Sequence, residues 1–443
     1  VDSVIAFSLG VLVIAVGLIL SIALHEWGHY FPAKKFGVYV SQFMIGFGPT
    51  LFSRRSGETE VGIKAFPLGG YVAMAGMYAP SPGERSGGVS TTGFLDKVVG
   101  EEPLLSPDQI PADIDQRSFY RLPLHQRITI MLGGPFMNLF IAIVLYGVVL
   151  VGFGVPTVSL TVGSVSECVL AATETRTECL ASDPAAPGAS AGVLPGDRII
   201  ALEGQELQSW FTLTDIIRQS PGEPLVLTVE RQAQMYDLTL TPLLTQRYAF
   251  DERGEVSLDD AGNPIVVAVG FVGISSAIES QRQTLTSVGP AVWDNIVGVG
   301  RVIATLPQRM VDVAQAAFGA EERDPNGPLS VVGVGRIAGE IAAVESLALR
   351  DRIAGLIGII ASLNVALFVF NLVPLLPLDG GHIAVALYEG VKRKIYLLTG
   401  KADPGPVNAS RLVPLTLIVI ALLGGMSLLL MYADIVNPVR LFS

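Results

Sequence analysis

His25, Glu26 and His29 follow one another in the order His-Glu-x-x-His. Residues four apart in an α-helix share a face, so the two imidazoles can bind one Zn²⁺ while Glu26, one step round the turn, takes a proton from water. The chain has only four histidines, which makes two of them at this spacing a specific signal. A third protein ligand would complete a catalytic zinc site and leave one position open to water. Asp379, in Leu378-Asp379-Gly380-Gly381 at the end of another apolar run, is the candidate. The plainer reading makes these residues ordinary polar groups where helices leave a bilayer. It is disfavoured because an acidic side chain at membrane depth costs on the order of 3 kcal/mol and is functional by default.

The elements that must hold these residues are membrane spans. Half of the 443 residues are hydrophobic and 16% are charged, and the mean hydropathy is +0.53. An ordinary soluble domain of this length does not have that composition. The expected fold is a polytopic α-helical membrane protein with about four transmembrane helices. Val4 to Leu24 runs without a break into His25 and forms the first span, within residues 1–30. It has neither a basic leader nor a small-residue cleavage site after it, so it is expected to stay in the mature protein. Further spans are expected within 127–155, 351–382 and 412–443. Two prolines and two glycines around Asp379 require the third span to unwind there, which frees the carboxylate to face the first helix.

Within residues 31–126, the stretch from Phe43 to Met77 has short apolar segments separated by Gly, Pro and a charged turn, a pattern of strands and hairpins. A membrane-associated β-hairpin or small sheet is tolerable only where protein or a watery cavity satisfies its backbone. It either holds an unwound substrate by strand pairing, with Gly69 and Gly70 as contact candidates, or plugs the first helix. Residues 78–116, rich in Pro, Gly, Ser and acids, read as a mobile loop. All seven lysines lie in 30–126 and 380–411, whereas 156–350 holds none, with 12 arginines and 24 acids. The positive-inside tendency puts the lysine-bearing segments, including a loop at 383–411, in the cytoplasm, and 156–350 outside. A net charge of −11 argues against nucleic acid as a partner and leaves the lipid bilayer as the first one.

Residues 156–245 alternate strands and turns, and Ala189-Ser190-Ala191-Gly192-Val193-Leu194-Pro195-Gly196-Asp197-Arg198-Ile199-Ile200 resembles the signature of PDZ domains. The resemblance implies an extracytoplasmic, β-rich domain that binds peptide ends by strand addition. Residues 246–350 read as a linker followed by amphipathic helices, with apolar residues at three- and four-residue spacing from Thr284 to Phe318. Cys168 and Cys179 lie in the outer segment. They either form a disulfide, which stabilises by roughly 2–4 kcal/mol, or remain two thiols.

Taken together, His25-Glu26-Trp27-Gly28-His29, the Gly-Gly-Pro-Phe-Met-Asn of the second span, the PDZ signature and the Asn371-to-Gly381 segment resemble the site-2 protease family of intramembrane zinc metalloproteases. The likeness is greatest to the bacterial regulator-of-sigma-E protease group. It implies zinc as cofactor, His25, His29 and Asp379 as its ligands, Glu26 as general base and Asn371 as a polar residue near substrate. It also implies a bacterial inner-membrane enzyme that cleaves single-pass membrane proteins, such as anti-sigma factors already trimmed outside. Two departures stand out: one PDZ domain where some relatives carry two, and a slightly different proline spacing before Asp379. His382 either meets an oxyanion or simply ends a helix. A rival reading is a catalytically silent scaffold that binds peptides through its PDZ domain, which the intact Glu26 argues against. A metal transporter would need ionisable residues along a path, whereas here they converge on one point.

Overall fold

A computed structural model describes residues 2–77, 89–91 and 113–439, apart from 173, 175, 177, 250–255, 260–262, 320–322, 325–326, 346 and 408–412. Most of the expected loop at 78–116 lies outside the described residues. The chain divides into two units: Val1–Phe153 with Gln283–Ser443, and Gly154–Arg282.

The first unit opens with helix α1, Asp2–Lys35, whose 34 residues extend over roughly 50 Å at 1.5 Å per residue. Strands β1 (Val40–Ser56) and β2 (Thr59–Ala75) follow, and β3 (Val89–Thr91) pairs with Ala73–Ala75 of β2. The hairpin folds over on itself. Phe43, Met44 and Ile45 pair with Val61, Gly62 and Ile63 on one edge and with Val72, Tyr71 and Gly70 on the other. Positive φ at Gly46 (93°) and Gly48 (81°) turns β1 so that this becomes possible, a conformation that residues with a Cβ rarely adopt. Helix α2, Leu124–Gly147, continues through a π-helical turn at Val148–Phe153.

The second unit is a β-rich body built on β4 (Val155–Val165), a short helix α3 (Pro187–Ser190), β5 (Arg198–Leu202), β6 (Gln205–Glu206), α4 (Trp210–Gln219), β7 (Leu225–Arg231), β8 (Gln234–Leu240), β9 (Leu243–Tyr248), β10 (Val266–Phe271) and β11 (Ile274–Gln281). Its main sheet has the order β11-β4-β5-β7-β8 and its core is aliphatic, with Leu213, Leu227 and Val229 fully buried. Cys168 and Cys179 are disulfide-bonded in the segment before α3. The sequence boundary at 245 is corrected. β9 and β10 form a hairpin and β11 pairs antiparallel with β4, so the unit closes only at Arg282. That pairing joins strands more than a hundred residues apart and has no local signature.

The chain then returns to the first unit as α5 (Val288–Ala304), α6 (Leu306–Phe318), α7 (Val331–Ala343), α8 (Leu349–Asn371), α9 (Asp379–Leu398) and α10 (Val413–Val436). Among the described residues four helices, α1, α2, α8 and α10, are long and apolar enough to cross a membrane. A second correction concerns 351–411. The third span ends at Asn371, and Asp379 starts a separate helix where a loop was expected from 383. Pro374 and Pro377 cannot continue α8, and an acid at the first turn of α9 suits the positive end of its dipole.

Small residues let α1 touch its neighbours backbone to backbone, the form of packing that membranes favour in the absence of a hydrophobic drive between helices. A Cβ at Gly28 would lie 2.3 Å from the Gly133 carbonyl oxygen, and one at Gly133 would lie 2.0 Å from that of Gly28. Between α1 and α8, the Asn364 amide donates to Ser21 Oγ at 2.9 Å. Helix α9 is fixed to α2 by a buried ion pair, with Arg127 Nη1 and Nη2 each donating to Glu389 at 3.2 Å and Arg393 meeting Glu389 at 2.9 Å. Breaking such a pair from one side leaves a buried, uncompensated charge, at a cost of about 3–5 kcal/mol. Glu389→Ala is therefore expected to lower the thermal unfolding midpoint of the full-length protein in detergent, and pairing Arg127→Met with Glu389→Leu to recover it. An unchanged midpoint in the single variant would contradict the role given to the pair.

Candidate metal centre

Helix geometry turns His25 and His29 to one face of α1, and the chain break before α9 carries Asp379 to the same point. The three donor atoms form a near-regular triangle. His25 Nε2 lies 3.2 Å from His29 Nε2, and Asp379 Oδ2 lies 3.4 Å from the first and 3.3 Å from the second. Four donors set tetrahedrally at ~2.0–2.1 Å from an ion are separated by about 3.3–3.4 Å, so the spacing suits zinc. Glu26, His29 and Asp379 are no more than 7% exposed, and His25 is 9% exposed.

The hydrogen bonding agrees with a cation at the centre of this triangle. Asp379 Oδ2 is buried and accepts no hydrogen bond from a described residue despite the two imidazoles beside it. His29 Nδ1 donates to the Ile130 carbonyl at 2.8 Å, which leaves its Nε2 as a lone pair facing inward. His25 Nδ1 lies 3.1 Å from the Asn138 amide, whose Oδ1 is otherwise buried without a partner. Turned over, that amide accepts the Nδ1–H and fixes the second imidazole in the same tautomer. Three lone pairs pointing at one place in a buried site repel one another unless a positive charge lies between them.

The absence of one side chain keeps the space open. A Cβ at Gly134 of α2 would lie 2.3 Å from His29 Nε2 and 2.7 Å from His25 Nε2, within the volume where the donors converge. On the other side, β2 presses against the acid, since a Cβ at Gly70 would lie 2.8 Å from Glu26 Cγ.

Of the residues expected from sequence, His25, Glu26, His29, Asp379 and Gly70 meet here. Gly69 faces the Phe47 ring instead. Asn371 closes α8, half-buried, with no hydrogen bond to a described residue. His382 is buried in the first turn of α9. Cys168 and Cys179 belong to the other unit. Gly134 and Asn138, from the Gly-Gly-Pro-Phe-Met-Asn segment of the second span, were given no role from sequence. Their four-residue spacing, which puts both on one face of α2, is the signal that could have placed them here.

Comparison with known proteins gives a match to the model of Peptidase family M50 over residues 13–402. Similar proteins include the zinc metalloprotease Rip1 of Mycobacterium tuberculosis (strain ATCC 25618 / H37Rv), 32% identical over 446 residues, covering 98% of this chain and 99% of the relative. Rip1 of Mycolicibacterium smegmatis is 33% identical, with the same coverage of both chains. The metalloprotease MmpA of Caulobacter vibrioides is 30% identical over 87% of this chain and 89% of its own.

Two variants test the geometry without touching a donor. Gly134→Ala puts a methyl among the donors and is expected to abolish zinc retention, read by elemental analysis of purified protein; full zinc content would place the metal elsewhere. Asn138→Leu removes the partner of His25 Nδ1 and is expected to weaken zinc affinity about 10–100-fold in a chelator competition, the range found when such outer partners are lost. An unchanged affinity would show that the amide does not orient His25.

Proposed function

We propose that this chain, which belongs to peptidase family M50 and is a site-2 type zinc metalloprotease, holds its zinc through His25, His29 and Asp379 and uses Glu26 as general base. The convergence of three donors 3.2–3.4 Å apart, with a buried glutamate on the adjoining turn, carries this reading. Zinc, when bound, supplies a Lewis acid that polarises the scissile carbonyl and lowers the pKa of a water toward neutrality. Glu26 accepts a proton from the attacking water and delivers it to the leaving amine. Ile130 holds the His29 imidazole in the tautomer that points Nε2 inward, and Asn138, with its amide turned over, does the same for His25. Helix α2 and the folded-over hairpin enclose the site and exclude bulk water.

A peptide bond inside a transmembrane helix is shielded by its own hydrogen bonds and must be extended before attack. Strand β2 passes the site at Gly70, and β3 covers it only at Ala73–Ala75 among the described strands. The hairpin is suited to hold an extended substrate segment beside Glu26, with Asn371 at the end of α8 as a further polar contact. Gly69 supports this by freeing the turn of the strand rather than by touching substrate.

The substrates we assign are single-pass membrane proteins of the anti-sigma-factor kind, trimmed outside before this cut. The family and the lysine asymmetry support this reading, in which the catalytic end of α1 faces the cytoplasm of a bacterial inner membrane. The unit Gly154–Arg282, with its PDZ-like segment Ala189–Ile200, would then lie outside and select substrate ends.

Glu26→Gln keeps the shape of the base and removes its proton affinity. Cleavage of a trimmed single-pass membrane substrate by the purified variant is expected to fall at least about 10²-fold, the usual contribution of a general base, with zinc content unchanged. Equal processing by the variant and the wild type would overturn the assignment of Glu26.

A further inference from the structure

Helices α2 and α5 border an apolar groove of about 930 Å³. Leu139 and Val144 of α2, with Val151 of its π-helical turn, form one wall, and Val292, Trp293 and Ile296 of α5 form the other. The α2 wall belongs to a candidate membrane span, and Val144, Val151 and Trp293 are exposed, so the groove opens toward lipid. From Leu139 to Gly152 it follows α2 for about 20 Å at 1.5 Å per residue. That length is close to the ~15 Å of hydrocarbon in one leaflet.

The walls are fastened to each other and to α8. The Asn295 amide of α5 donates to Ser362 Oγ of α8 at 3.2 Å, and the Tyr146 hydroxyl of α2 bonds to both side chains. Glycines keep the floor clear. A Cβ at Gly147, Gly152 or Gly289 would meet no neighbouring atom within 4 Å.

A cation stands at one end. Arg350, exposed in the first turn of α8, donates from Nη2 to the carbonyl oxygens of Gly152, at 3.4 Å, and Phe153. Gly152 lines the groove and Phe153 ends the span, so this guanidinium lies at the level where headgroups begin. Its Nε and Nη1 donate to no described residue, and it forms no ion pair with one. Those donors suit a phosphate, which a guanidinium binds in a fork.

Apolar walls alone do not tell one lipid from another, because every lipid tail is as apolar as leucine. The charge at the end does. A protein helix crossing the membrane would overrun a groove one leaflet deep, whereas a phospholipid brings a tail and a phosphate at the matching separation.

We propose that the groove holds one anionic phospholipid, with an acyl chain between α2 and α5 and the phosphate on Arg350. Bound there, the lipid bridges α2, α5 and the first turn of α8. The site stands whether or not Glu26 is the base, and whichever way the chain crosses the membrane.

Native mass spectrometry of the full-length protein released from detergent tests this, with phosphatidylglycerol or phosphatidylcholine of identical chains added in turn. Wild type is expected to retain one phosphatidylglycerol about fivefold or more tightly than phosphatidylcholine, the effect of one arginine near anionic lipid. Arg350→Gln is expected to erase that preference and Arg350→Lys to keep part of it. Gly147→Leu, whose side chain enters the open groove, is expected to weaken both lipids. All three variants are expected to keep their zinc and their unfolding midpoint; if Arg350→Gln does not fold, Arg350→Lys and Gly147→Leu carry the test. Equal retention of the two lipids by wild type would overturn the proposal, as would an unchanged preference in Arg350→Gln. Undiminished binding in Gly147→Leu would overturn the place given to the acyl chain. Retention of many lipids with no single saturable site would mean annular lipid only, and would overturn the proposal as well.

Discussion

A carboxylate buried among membrane helices is expensive, and the packing around the site makes sense as the means of offsetting that expense at one point. Asp379 Oδ2 accepts no hydrogen bond from a described residue and faces two imidazole nitrogens at 3.3 and 3.4 Å. Such an arrangement is stable only if positive charge is shared among the three donors. The surrounding features serve it. Gly28 and Gly133 bring α1 and α2 into backbone contact, Gly134 leaves the space, Ile130 turns the His29 imidazole inward and the Asn138 amide lies against His25 Nδ1. The pair Arg127–Glu389 holds α9, and with it Asp379, against α2.

Much of this was legible in the sequence because its signals are local. The helical spacing of His25 and His29 needs only the helix they lie on, and four long apolar runs announce four candidate spans. The prolines and glycines around Asp379 announced a break in the chain. What followed the break was not legible, since α9 carries Lys392, Arg393 and Lys394 among its apolar residues and lacks the unbroken hydrophobicity of a span. The closure of the β-rich unit by β11 depends on pairing with β4. The role of Asn138 was not legible, because nothing in its local sequence names the element that presents a histidine to it.

In the function proposed above, the two units divide two demands that pull against each other. Hydrolysis inside a membrane requires a rigid, enclosed site in which donors are held to tenths of an ångström. Selection requires a surface that tells one chain end from many polar loops. In the same proposal the folded-over hairpin beside Glu26 meets a third demand, that the substrate be extended where it is cut.

The central claim is that zinc sits among His25, His29 and Asp379. X-ray absorption at the zinc edge of the purified, full-length protein measures that shell directly. The account predicts nitrogen and oxygen scatterers at ~2.0–2.1 Å with the multiple-scattering signature of two imidazoles, falling to one in any zinc retained by His29→Ala. A sulfur shell near ~2.3 Å, or an imidazole count unaffected by His29→Ala, would contradict it.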